Sequence, residues 1–311
     1  MHYTGTIWRP PYEAESLLLE VTAGCTHHKC SFCTLYNNLP FKFKISPLED
    51  IENDLLEVQI LQHNPASMAT ARLQGLSSPK LVKRVFLTGA NPFVLKTEKL
   101  IEIVTLIQKH LPSVESIGCF ARITDSMNKS DEELKMLRQA GYNGLTIGVE
   151  TGDDTALAFM HKGYTSQDIL AQCKRLEKAG IEYGFFYLTG ISGKGNGVEG
   201  AKASAKVFNQ LHPFLIGPNM LTIYPNSELY QEIQKGKWEE EGELEKYREL
   251  RSLVSNLTVS TCFAAMGASN PFQLRGQLPA DKEKLLVTLD KIISEVSEDD
   301  LQQYRKNLHH L

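Results

Sequence analysis

Between residues 17 and 224, six short β-branched or aliphatic runs alternate with longer segments of helical period. That alternation restricts the fold more than any other feature of the chain. The runs are 17–22 (LLLEVT), 85–88 (VFLT), 116–120 (SIGCF), 145–149 (LTIGV), 183–188 (YGFFYL) and 220–224 (MLTIY). The segments between them predict helices over 47–62, 97–110, 131–140, 153–160, 166–179 and 200–211. Ser46 is placed to cap the first of these with Pro47 in its first turn; Ser130 caps the helix that Gly141 ends, and Gly180 closes the one over 166–179. Units recurring every roughly 30 to 35 residues call for parallel strands joined by right-handed crossovers, in a doubly wound sheet or a barrel. In both, ligands gather at the carboxyl ends of the strands, so the loops after the runs are where chemistry is to be sought.

Residues 64–83 have weak periodicity and read as a loop or irregular insertion. Beyond Pro225 the alternation stops. An acidic helical stretch over 237–254 leads to a strand-like LTVSTCF at 257–263, a Gly/Pro-rich passage, and two closing helices over 281–294 and 298–307. The expected organisation is a lead-in over 1–16, a core over 17–224 and an extension over 225–311 packed on that core. With 42% apolar and 23% charged residues, collagen-like, disulfide-scaffold and disordered classes are excluded. The balance of 33 Lys+Arg against 37 Asp+Glu, a net charge of -4, gives no global field for nucleic acid or an anionic membrane. No stretch approaches the roughly 20 apolar residues of a membrane helix, and the first residues lack the order of a secretion signal. A cytoplasmic protein is expected.

Six cysteines are too few for a disulfide framework, and they are unevenly spread: Cys25, Cys30 and Cys33 are crowded together, whereas Cys119, Cys173 and Cys262 stand singly. Three thiolates at C-x4-C-x2-C spacing in the loop after the first run suit three corners of an iron-sulfur cube. One iron is then left open, whereas a purely electron-transferring cube has four cysteine ligands. Two alternatives use the same residues: a structural Cys3His zinc site with His27 or His28, and unligated thiols. The corresponding non-catalytic protein would be an iron-sulfur or zinc-binding sensor of iron or redox state.

On these residues the chain resembles the radical S-adenosylmethionine (SAM) superfamily, from about Leu17 to Tyr224. Its usual loop is C-x3-C-x2-C with an aromatic before the last cysteine; Phe32 keeps the aromatic, and one extra residue lies between Cys25 and Cys30. The likeness extends to the branch of methylthiotransferases and the elongator radical domain. It implies a partial (β/α)6 TIM-like barrel with a C-terminal α-rich extension, a [4Fe-4S] cluster on Cys25, Cys30 and Cys33, and SAM as second cofactor. Gly89-Ala90-Asn91-Pro92 stands where the family has Gly-Gly-Glu-Pro, which holds the SAM amino group. Asn91 keeps an acceptor but loses the charge. The stretch 147–152 (IGVETG) with 162–165 (KGYT) is similar to the family's segment after the fourth strand. That implies Glu150 at the ribose or polar tail of SAM and Lys162 at its carboxylate. Arg122, just past the third run, is expected at the cofactor or a carboxylated substrate, or else in a surface salt bridge. Lys162 has a bland alternative too, a solvated surface position.

The activity so implied is reductive cleavage of SAM to a 5'-deoxyadenosyl radical that abstracts hydrogen from a substrate the sequence does not specify. The electron donor would be of flavodoxin or ferredoxin type. Gly193 to Gly197 is glycine-rich but lacks the order of a phosphate-binding P-loop. Cys262, residues 266–270 and Arg275 are further candidates for the barrel mouth, Cys262 more simply as a structural thiol.

Overall fold

A computed structural model of the chain describes residues 1–308, so the last three residues of the expected extension lie outside the described residues. The strands are β1 (Leu17–Glu20), β2 (Thr22–Gly24), β3 (Phe43–Ile45), β4 (Arg84–Thr88), β5 (Ser116–Ala121), β6 (Tyr142–Glu150), β7 (Tyr183–Thr189), β8 (Leu215–Met220), β9 (Thr261–Ala265) and β10 (Leu274–Leu278). The main sheet has the order β1-β4-β5-β6-β7-β8-β9-β10. β1 with β4, β4 with β5, β7 with β8 and β8 with β9 run parallel, and β9 with β10 antiparallel. β2 and β3 form a separate antiparallel pair. By contact density the chain divides into two compact units, one of residues 1–26, 38–146 and 179–181, the other of 27–37, 147–178 and 182 onward.

In the first unit, Leu19, Val85, Phe86, Leu87 and Cys119 are fully buried, as are Ile51 and Leu55 of helix Leu48–His63 and Leu100, Ile103 and Ile107 of helix Thr97–His110. Near-continuous burial along a parallel strand is what coverage of both faces produces, as in barrels and doubly wound sheets alike. The lead-in is tied to this sheet by charge. The Arg84 guanidinium donates to both carboxylate oxygens of buried Glu13, and also to Ser116 Oγ and the carbonyls of Asn143 and Gly144. In the second unit, Tyr183, Phe185 and Tyr187 point to the side where Phe208 packs, the Phe185 and Phe208 rings 4.9 Å apart. Phe186 and Leu188, on the opposite face, stay partly exposed. Buried Glu249 accepts hydrogen bonds from Tyr187 Oη and the Gly190 N–H, fastening helix Glu243–Asn256, and burial pushes its carboxyl above the usual range.

Several sequence expectations are corrected. The first run is broken after Glu20, because Thr22–Gly24 turns to pair with β3. The first helix starts at Leu48 with Pro47 as N-cap and no side-chain cap; Ser46 instead is buried, its N–H bonded to Val21 O. Within 64–83 stands a helix, Pro65–Leu73, with Pro65 at its start and the Asn64 side chain accepting from Ser67 N–H. Its apolar residues are mostly small, which hid the period. A short helix, Ile123–Met127, was also not foreseen. The sixth strand is β8, not 220–224: Gly217 and Pro218 disguise it, and Gly217 leaves room for Phe186, whose ring would lie 3.2 Å from an added Cβ. After 224 the expected elements are present as helices Glu243–Asn256, Lys282–Glu295 and Glu298–Lys306 and as β9, while helix Glu228–Gln234 and β10 are additional. β10 lies in the passage expected to be irregular, where Gly276 at a buried position weakens the apolar half of its alternation.

The exit from β2 depends on one glycine. Gly24 has φ 79°, and an added Cβ would lie 2.1 Å from the carbonyl oxygen of Lys42. That same oxygen accepts the Cys25 N–H at 2.8 Å. Gly24→Ala combines left-handed strain with a backbone collision and is expected to destabilise the protein by about 2–4 kcal/mol; urea unfolding checks this.

Candidate functional site

Cys25, Cys30 and Cys33 form no disulfide and each is partly exposed. The Cys33 N–H donates to Cys30 O at 3.0 Å, so these two thiols share one turn. That turn is fixed by buried Ser31: its N–H donates to Met160 O at 3.2 Å, and its carbonyl accepts the Leu229 N–H at 2.8 Å. Phe32, expected beside the cofactor, packs against the core cluster that contains Met160, Ile191, Leu221 and Leu229, and so anchors the turn from below. The two histidines weighed as zinc ligands are engaged elsewhere through Nε2, His27 with His161 O at 2.6 Å and His28 with Asn37 Oδ1 at 3.2 Å. Among the described residues no three His, Cys, Asp or Glu side chains are grouped to hold a single metal ion. A cube makes a different demand, since each thiolate meets a separate iron. Three unbridged, partly exposed soft thiols are a donor set that suits it.

Glu150, the last residue of β6, has φ 64°, a conformation that costs a non-glycine residue about 1–3 kcal/mol and is found where surroundings enforce it. Its Oε1 lies 3.1 Å from Lys162 Nζ. Lys162 is only 4% exposed, which overturns the solvated surface alternative. Its ammonium also donates to Gly148 O at 3.1 Å and stands 5.8 Å from the centre of the Phe32 ring and 5.5 Å from that of Tyr164. Tyr164 Oη donates to the same Gly148 carbonyl at 2.9 Å. Glu150, Lys162 and Phe32 are thus brought together, with Tyr164, which the sequence reading left unassigned, completing the group.

The 89–92 loop is held by close packing. Gly89 has φ 128°, and an added Cβ would lie 2.0 Å from Thr22 Oγ1. Ala90 N–H donates to Gly24 O at 3.4 Å. Asn91 is fully buried, and its Nδ2 donates to Thr26 Oγ1 at 2.9 Å and to Asp125 Oδ1 at 3.0 Å. Asn91 Oδ1 is buried with no hydrogen-bond partner. Arg122 is half-buried at the start of helix Ile123–Met127; its N–H donates to Asp125 Oδ2 at 2.8 Å and its guanidinium to Thr124 Oγ1 at 3.4 Å. Burial pushes the Asp125 carboxyl up to about 6. Asp125 was missed from sequence because one acid inside a polar loop has no spacing to mark it.

Among the other cysteines, Cys119 and Cys173 are buried and their thiols are pushed up by desolvation, the signature of inert core thiols. Cys262 is partly exposed on β9, opposite Leu215. In the segment after β9, Ser269 Oγ accepts from Met220 N–H and Asn270 Nδ2 donates to Pro218 O, while Arg275 is exposed on β10. The glycine-rich turn is tied by Lys194 N–H to Glu239 O. No helix among the described residues is long and apolar enough to cross a membrane.

The family model of the Radical SAM superfamily matches residues 19–196, more than half of the chain and all three clustered cysteines. The chain belongs to the radical SAM superfamily. Among curated proteins it is similar to the heme chaperone HemW of Bacillus subtilis, 29% identical over 101 residues that make up 32% of this chain and 27% of that protein. Among solved structures it is similar to the radical SAM methyltransferase TsrM of Kitasatospora setae, with a TM-score of 0.54 at 18% identity, covering 71% of this chain and 39% of that one. It is also similar to coproporphyrinogen III oxidase HemN of Escherichia coli, with a TM-score of 0.53 at 16% identity, covering 77% and 51%. The chain therefore spans about half or less of these relatives' lengths. The likeness carries the fold: the parallel α/β class read from the strand–helix alternation is borne out, as is the partial barrel that the family resemblance implies.

Two measurements follow from this geometry. A double-mutant cycle on Glu150 and Lys162 is expected to give a coupling above about 1.5 kcal/mol, with Lys162→Met alone costing about 3 kcal/mol because it strands a poorly solvated carboxylate; the exposed Arg251–Asp290 pair is the control, expected below about 1 kcal/mol. Asp125 has a folded value raised above that of the unfolded chain, so its contribution to stability is full below about pH 3.8 and drains away as pH rises through about 6. Carbon-detected NMR of labelled carboxyls is expected to show an Asp125 signal titrating near pH 6.

Proposed function

We propose that the protein is a radical SAM enzyme in which Cys25, Cys30 and Cys33 hold a [4Fe-4S] cluster whose fourth iron takes SAM. When bound, the pair supplies one-electron cleavage of the sulfonium and a 5'-deoxyadenosyl radical able to take hydrogen from an unactivated C–H bond, chemistry no side chain performs unaided. The observation that carries this reading is the superfamily match across 19–196, which takes in the three clustered, unbridged cysteines on one loop.

The chain's own residues have positioning work to do. The Ser31 backbone bonds hold the Cys30–Cys33 turn, and Phe32 seals its underside with apolar surface. Lys162, already carrying a carboxylate partner, offers its ammonium to the carboxylate end of SAM as a point charge, and Glu150 orients that ammonium and reaches toward the ribose hydroxyls. Gly89 and Ala90 offer backbone carbonyls at the loop after β4, and Arg122 a cation at the end of β5. The electron comes from a reduced flavodoxin- or ferredoxin-type donor, and the cell compartment is the cytoplasm, where free thiols persist.

The test is anaerobic. The purified chain, reconstituted with iron and sulfide, is expected to hold about four of each and, reduced with dithionite in the presence of SAM, to release 5'-deoxyadenosine. Cys30→Ala is expected to abolish both cluster and product, while Cys262→Ala leaves the cluster intact. A sound cluster that never yields 5'-deoxyadenosine would instead support a non-catalytic sensor.

A further inference from the structure

We infer that Asp125 is a positioning residue for Asn91: it holds the Asn91 amide so that the nitrogen is committed and Oδ1 is presented to the ammonium group of SAM. This rests on the SAM reading above and names a residue that the reading does not use.

The hydrogen-bond inventory of Asn91 carries the inference. A primary amide has two N–H donors and one oxygen acceptor. Both donors are used, on Thr26 Oγ1 at 2.9 Å and Asp125 Oδ1 at 3.0 Å, while Oδ1 is buried and has nothing. An ionised carboxylate only accepts, so turning the amide over would set two oxygens against each other; Asp125 thereby decides which end of Asn91 is left over. A buried acceptor without a donor costs about 1–3 kcal/mol and calls for an explanation. The amide lies under Thr26, an exposed residue next to Cys25, and beside Gly89 and Ala90, which are partly exposed. The hydroxyls of Thr22 and Thr88, at the strand ends flanking this loop, are buried and unpartnered too.

Capping alone does not account for Asp125. Its Oδ2 caps helix Ile123–Met127 through Arg122 N–H, and that task leaves Oδ1 spare; Oδ1 is turned to Asn91 instead. The negative charge hydrogen-bonded to the amide nitrogen at 3.0 Å polarises the amide and makes Asn91 Oδ1 a better acceptor for a cationic donor. Of the two cations close to Asp125 in the chain, Lys129 is committed to the carbonyls of Phe93 and Leu95 at 2.7 and 2.9 Å, and the Arg122 guanidinium donates to Thr124 Oγ1 at 3.4 Å. Asn91 backed by Asp125 therefore supplies by two residues what a single glutamate would supply directly: an oriented acceptor with a full negative charge behind it.

The experiment uses the anaerobically reconstituted protein, its iron and sulfide content measured for every variant, and compares equilibrium binding of SAM with that of the deaminated analogue, which keeps the sulfonium, adenosine and carboxylate and lacks only the ammonium. The wild-type protein is expected to prefer SAM by about tenfold or more, as a charge-assisted hydrogen bond provides. Asp125→Asn is expected to bring that preference to within about threefold by weakening SAM alone. The exchange double variant Asn91→Asp/Asp125→Asn restores a carboxylate against the ammonium and is expected to recover the preference. A loss shared equally by both ligands, or a preference untouched by Asp125→Asn with the cluster intact, would overturn the assignment. Failure of the wild-type protein to bind either ligand would instead overturn the SAM reading, and this inference with it.

Discussion

Backbone hydrogen bonds hold the cysteine loop, and the rest of the chemistry depends on them. Cys25 is held through its N–H on Lys42 O, and the Cys30–Cys33 turn through Ser31, bonded to Met160 on one side and Leu229 on the other. The loop is thereby placed by its backbone, and no disulfide ties up its three sulfurs. A metal-sulfur body needs that division, because a thiol already used in packing or in a disulfide is not available as a ligand. Gly24 makes the first anchor possible and Phe32 the second, one by having no side chain and the other by burying a large one.

The polar side chains around the loops after β4, β5 and β6 share a design. Lys162, Asn91 and Asp125 are each buried, and of the three Asn91 alone keeps a polar atom without a partner. Lys162 has Glu150 and a carbonyl; Asn91 has two acceptors for its nitrogen and none for its oxygen; Asp125 serves a helix with one oxygen and Asn91 with the other. Leaving a buried group incompletely paired lowers stability, and natural proteins tolerate this where a ligand completes the set. The strained φ of Glu150 belongs to the same pattern.

The repeating architecture was legible in the sequence because parallel strands buried on both faces read as apolar runs, and the capped helices between them carry their own punctuation. The helix Ser166–Ala179 falls where its period and Gly180 place it, and Ser130 caps its helix as expected, as part of a capping box with Glu133. What escaped did so for local reasons. β8 contains Gly217 and Pro218, and β10 contains Gly276, so propensity pointed away from strands that tertiary pairing imposes. The helix at 65–73 has little apolar surface to reveal a period. Of the site, the cysteines and the Glu150–Lys162 segment were readable from motif spacing, whereas Lys162's burial and the role of Asp125 depend on contacts between loops far apart in the chain.

One claim underlies all of this: three cysteines leave a single iron of a cube open to SAM. Mössbauer spectroscopy of the iron-57 protein addresses it directly. On adding SAM, about a quarter of the iron absorption is expected to move to a higher isomer shift while the remainder stays in place. Four irons that respond alike, or not at all, would contradict it.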